Sequence, residues 1–419
     1  MTEAVTTYNR KKSRRIATLA LASKFDKYAP EVEKEVRKTD VQPDKTLEAF
    51  KKIWSAWKPL PPKKCDKSYE TICAALNGLS YNAADVGRFA LFLVEFAGQE
   101  NFSLKAGLFL SALINNCPDS DFTLYLEPID KISMLGFRNS KNIAIRGNVG
   151  NSLGLEMKDG KIVLEGNAKA SVGMNMTGGS IEVSGNATSS VGLCMKGGAL
   201  LVKGNVTAGV GSYMDAGEIT IEGNVKKEIG WGMHGGTITV KGNCRGGDVG
   251  IGMEGGNIKI EKDGGSSVGT SMTGGTIEIE GDSGKTVGEH MRGGSIQLKG
   301  SAGNLLGEIM TGGDIIVGGN VGHGLGRHMQ GGSVLVKGNA GNCVGQGMLR
   351  GTIRIEGNVG DDCGREMVGG RIDVECISGS NVGHKMTGGE IHLFGSYDSI
   401  SDLRRGGKVY HDGKLVSIG

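Results

Sequence analysis

The residues best placed to do chemistry fall late in this 419-residue chain. Glu289, His290, Arg292, Glu308, Arg327, His328, Arg365, Glu366, His384 and Lys385 each lie within two positions of a recurring methionine. Imidazoles beside carboxylates and guanidiniums are the groups that ligate metals, move protons or hold anions. His290 and His328 fall two repeats apart, however, and at a ~4.8 Å strand spacing they would stand roughly 10 Å from one another, too far to share one metal. This polar corner is read as a solvated edge, with a protein-docking patch and a small-molecule or metal site as the alternatives.

Other apparent motifs dissolve on inspection. Gly230-x-Gly232-x-x-Gly235 and Gly250-x-Gly252-x-x-Gly255 match a dinucleotide fingerprint but open no helix. Gly281 to Thr286 resembles a phosphate loop, yet the first glycine of that motif would fall at Ile279, a core position. No nucleophile elbow, zinc-protease motif or calcium-binding repeat is present. The eight cysteines form no CxxC pair, so neither a zinc knuckle nor an iron-sulfur cluster is signalled, and a reducing, cytoplasmic compartment is expected. Cys363 stands where other repeats carry Val or Leu and is expected in the core.

All these look-alikes sit within one phrase, VGxxMxGGxIxVxGN, repeated along the chain. Its methionines run Met157, Met176, Met195, Met214 and Met233, then in steps of 19 from Met253 to Met386, with one extra residue within Cys244 to Asp248. Five and seven positions after each methionine stand Ile, Val or Leu, with a mostly polar residue between, the pattern of a short strand buried on one face. A further apolar position precedes each methionine by four, as at Leu153, Val172 and Val191. One repeat cannot bury these faces alone, so the copies must stack, and nineteen residues are too few for strand, helix and two turns. Glycine is accordingly abundant, 74 residues against 7 proline, because tight corners need it. The asparagine ten after methionine, as in Asn167 and Asn186, suits a turn that can bond to its neighbour up the stack. The expected architecture is mainly β: a single-stranded parallel β-helix of about 13 rungs over residues 149–396, a rod roughly 60 Å long.

Residues 118–148 are read as lead-in strands and an amino-terminal cap, and residues 397–419 as a carboxyl-terminal cap hairpin around Asp412-Gly413. Residues 1–117 switch to helical spacing, clearest at Leu47, Phe50, Ile53, Trp54 and Trp57. Helices are expected at about 13–38, 67–77, 82–97 and 103–116, with Pro59 to Pro62 dividing the region and the two tryptophans in its core. This domain is basic, with 16 Lys and Arg against 8 Asp and Glu in the first 64 residues, and Arg10 to Arg15 is read as a solvated cluster more than a phosphate grip. No signal-peptide pattern is visible, and the longest apolar stretch, Phe89 to Phe96, is far short of the ~20 residues that cross a bilayer.

At the midpoint of the strands, where polar residues prevail, Val163, Leu201, Ile316 and Leu335 break the rule. An apolar ladder there is what a partner surface would use, unless the helical domain covers it.

The tandem phrase VGxxMxGGxIxVxGN resembles the GXGXG domain, found at the carboxyl terminus of the glutamate synthase large subunit and as the GXGXG subunit of formylmethanofuran dehydrogenase. The resemblance covers about residues 118–419, including the ending Gly406 to Lys414. It implies a β-helix without catalytic residues that holds the catalytic subunits of a larger complex together. On this reading the chain binds no cofactor, its partners are catalytic protein subunits, and neither nucleic acid nor a membrane is among them. A ligand- or polysaccharide-binding β-helix and a self-assembling structural protein are the rivals. Aromatic residues at 5 %, mostly amino-terminal, weigh against the first, and capped ends against the second.

Overall fold

Each repeat folds as its alternation dictates. In the strand Thr276–Ile279, Ile277 and Ile279 are buried and Glu278 is exposed. The computed structural model describes residues 44–416 apart from Asp130 and Arg245, so the helix expected at 13–38 and the Arg10 to Arg15 cluster lie outside the described residues. One strand per repeat joins a 17-stranded sheet, and every pairing but the last is parallel. Register places each residue against its own counterpart one repeat away: Ile258 against Ile277, and Ile277 against Ile296. The chain therefore winds as a β-solenoid of about 15 turns. Part of the coil has a second face, where Ala187–Val191, Val206–Val210 and Val225–Ile229 form a three-stranded parallel sheet.

The parallel ladder runs past the thirteen methionine repeats at both ends. Asp121–Tyr125 pairs with Asn142–Arg146, which pairs with Lys161–Glu165, so the lead-in strands are themselves rungs. Lys408–His411 pairs in parallel with Glu390–Leu393 and then folds back on Lys414–Leu415 through Asp412 (φ 49°) and Gly413 (φ 76°), a hairpin that occupies the last edge.

Inside the coil the repeat's consonants interlock. The array methionines from Met157 to Met386 are all buried, and the methyl group of Met253 fills the space where Gly275, on the next turn, would carry a Cβ. The Ile277 side chain does the same over Gly250. Methionine and glycine recur together because each turn's long side chains pack onto the bare backbone of its neighbour. A further ladder, Val206, Val225, Cys244, Val321 and Val359, is also buried. Along one turn the asparagine side chains accept from the backbone N–H one repeat on: Asn148 from Asn167 at 2.9 Å, Asn167 from Asn186 at 2.8 Å, and so on to Asn243.

Among the described residues four α-helices precede the coil: α1 (Lys45–Ala56), α2 (Cys65–Leu76), α3 (Ala83–Phe92) and α4 (Phe102–Asn116). Asn82 and Asp85 form a reciprocal capping box at the start of α3. Trp54 packs edge-on against Phe89, Phe102 and Phe109, and Trp57 is buried beside it, so both tryptophans are core. The helix α3 lies on the strand Asp121–Tyr125, while α4 brings Gly107 onto the Ser133 carbonyl so closely that no Cβ would fit. Arg138 ties the two parts together, bonding Asp66 of α2 at 2.7 Å and Glu156 of the coil at 2.8 Å. The helices thus cover the first rungs and close that end. No helix among the described residues is long and apolar enough to cross a membrane.

The interlock predicts unequal costs for one kind of substitution. Gly275 has φ 85°, and an added Cβ would meet the Gly256 carbonyl oxygen at 2.7 Å; Gly252 has φ 61° but open space around it. Both alanine variants incur the left-handed penalty of about 1–2 kcal/mol, and only Gly275→Ala adds a main-chain overlap. In urea unfolding Gly275→Ala should lower the midpoint at least twice as far as Gly252→Ala; equal shifts would mean the rungs are not so tightly stacked.

Candidate functional site

The residue before each core methionine sits in left-handed backbone, with φ 55° at His290, 52° at His328, 55° at Glu366 and 53° at Lys385. That conformation turns these side chains outward at one corner of the coil. The corner is an ion-paired edge. His290 Nε2 is 4.0 Å from Glu289, Glu308 is 3.6 Å from Arg327, and Arg365 lies between Asp362 at 3.4 Å and Glu366 at 3.7 Å. His384 Nδ1 is 3.2 Å from the Ser401 hydroxyl. Ile309 occupies the turn between His290 and His328, and among the described residues no cluster of three His, Cys, Asp or Glu could hold a metal. Arg292 stands beyond the buried Met291 and has no ion pair to the corner among the described residues. Acids and bases here pair in twos and threes, within one turn at Glu289–His290 and around Arg365 and across turns at Glu308–Arg327; they do not converge on one point.

The strand-midpoint residues are brought together only in part. Ile316 faces Leu335 directly in register, and both are half-buried. Val163 and Leu201 are also half-buried, but Glu182 stands between them on the ladder. Leu201 lies in a shallow trough of about 410 Å³ whose lining includes Lys161, Glu182, Ala199 and Thr220. Glu182 bonds Lys203 at 2.7 Å and lies 3.5 Å from Lys161. The Lys203 hydrogen bond holds its carboxyl below the usual range. The described helices pack against the first strand, many turns from Ile316 and Leu335, and none of them covers that pair.

Sequence reasoning passes over a third feature. Tyr213 and Trp231, each 47 % exposed, face one another across adjacent turns with ring centroids 6.3 Å apart. Trp231, Ile251, Ile229, Glu228 and Asp248 line a cavity of about 170 Å³. Trp231 is the sole tryptophan of the repeat array, and it lies beside the one repeat with an extra residue; that coincidence was the available signal.

The buried cysteines, Cys117, Cys244 and Cys363, serve packing. Burial pushes the Cys244 and Cys363 thiols up to about 12, and Cys117 and Cys343 are raised for the same reason, which suppresses the thiolate that would act as nucleophile or ligand. Cys376 alone among the described cysteines is exposed. At pH 8 a thiol reagent should label Cys376 in the folded protein and reach Cys244 and Cys363 only after denaturation, as read by peptide mass mapping. Labelling of Cys363 without denaturant would show that the coil opens there.

Comparison with protein-family models finds none that matches this chain, and comparison with curated proteins finds no match either.

Proposed function

We propose that this protein is a non-catalytic β-helical scaffold, an assembly subunit that holds the catalytic subunits of a cytoplasmic enzyme complex. The observation that carries the reading is the Ile316–Leu335 pair, two aliphatic side chains in direct register, half-exposed on an outer strand face where polar residues prevail. Paired apolar side chains on a rigid sheet are what a partner's apolar surface would bury, at roughly 25 cal/mol per Å² removed from water. The rung-to-rung register holds this pair and the other outer ladders at fixed intervals along the coil, which suits a part that sets the spacing between other proteins. The GXGXG resemblance narrows the reading to a part like the GXGXG subunit of formylmethanofuran dehydrogenase.

Affinity purification from the native organism at low salt, with mass spectrometry of the co-eluting proteins, tests it. Molybdenum, tungsten or iron-sulfur subunits are the expected companions. The double variant Ile316→Thr, Leu335→Lys should lose them at least tenfold with unchanged circular dichroism, because Thr220 and Lys259 already occupy this ladder on other turns. A native chain that elutes alone, or a variant that retains its companions, would sink the proposal.

A further inference from the structure

We infer that the cavity beside Trp231 is a docking socket for a single arginine side chain presented by a protein partner. The inference rests on the scaffold reading for the source of that arginine, but the socket's chemistry stands on its own geometry. Trp231 forms one wall, backed by Tyr213 on the preceding turn; Ile251, on the following turn, continues the apolar surface. Glu228 and Asp248 complete the lining. Among the described residues neither carboxylate forms an ion pair, although Lys226 and Lys227 precede Glu228 on the same strand. Elsewhere on the coil, acidic side chains such as Glu182, Glu222 and Glu280 pair with a lysine one turn away.

An indole sharing a cavity with two carboxylates that form no ion pair favours a cation. Size decides which kind. A cavity of about 170 Å³ is below the roughly 300–1,000 Å³ of sites that enclose a free metabolite or cofactor, and suits one side chain. A planar guanidinium can stack on the indole and offer its forked N–H groups to the carboxylates, which an ammonium cannot do. Exposed tryptophan and partner arginine are also the residue types that dominate protein interfaces.

The socket owes its form to the break in the period. The extra residue lets the chain take its left-handed turn at Gly246 (φ 78°). At the position before the methionine Gly232 and Gly252 carry no side chain on two successive turns, a lack repeated only at Gly347 among the thirteen methionine repeats; Tyr213 lies over Gly232, and the space at Gly252 is open.

Intrinsic fluorescence of the full chain provides the test. Trp54 and Trp57 are buried, so Trp231 dominates any response to solutes. Blocked arginine amide should change the emission saturably, and its neutral isostere, blocked citrulline amide, should bind at least tenfold more weakly. The isosteric double variant Glu228→Gln, Asp248→Asn should abolish the preference while leaving the unfolding midpoint unchanged. Equal responses to the two probes, no saturable response, or a preference that survives in the variant would overturn the inference. Since no partner is needed, failure here is distinct from failure to co-purify subunits.

Discussion

Each turn of this coil must superpose on the next at the spacing of paired strands, with every residue over its own counterpart. Backbone pairing enforces this: the Thr273 N–H donates to the Met253 carbonyl, Arg292 to Met272 and Thr311 to Met291, turn after turn. A one-residue slip would carry the whole apolar set to the wrong face. From this one constraint follow the methionine and isoleucine ladders within, the asparagine ladder at the turn, and the glycines on which neighbouring side chains rest.

The same constraint shapes what the surface can do. With the interior filled by Met, Ile, Leu and Val, polar groups are confined to corners and the outer strand face, where like positions stack at regular intervals. Such stacking makes linear patterns of ion pairs, as at Glu308 with Arg327, more readily than a convergent site. Surface pairs of this kind are worth about 0–1 kcal/mol each; their more evident consequence is a defined pattern of charge along the coil.

Departures from the period are therefore informative. The extra residue near Cys244 coincides with the end of the three-stranded second sheet at Ile229, with two adjacent corner glycines, and with the exposed Tyr213–Trp231 pair. At the ends, the coil stops differently: the helices lay an aromatic core over the first strand, whereas a hairpin covers the last.

The amino-acid sequence by itself determined the coil. A 19-residue period with Ile-x-Val alternation has few ways to bury its apolar positions, so the strands, the outward midpoint residues, the asparagine ladder, the Asp412-Gly413 hairpin and the helices over Lys45–Ala56 and Phe102–Asn116 were legible from spacing alone. The ladder through Ala187, Val206 and Cys244 was hidden because that position also accepts Ala, Ser and Gly, which carry little hydropathy. Only the tertiary structure decided which neighbours meet. It showed that the late polar corner pairs locally without converging, that Ile316 and Leu335 lie uncovered by the described helices, and that Trp231 shares a cavity with Glu228 and Asp248. Several of those neighbours, such as Ile316 with Leu335 and Glu308 with Arg327, sit on different turns, and their relative placement depends on left-handed corners and one inserted residue, whose directions the periodic pattern does not encode.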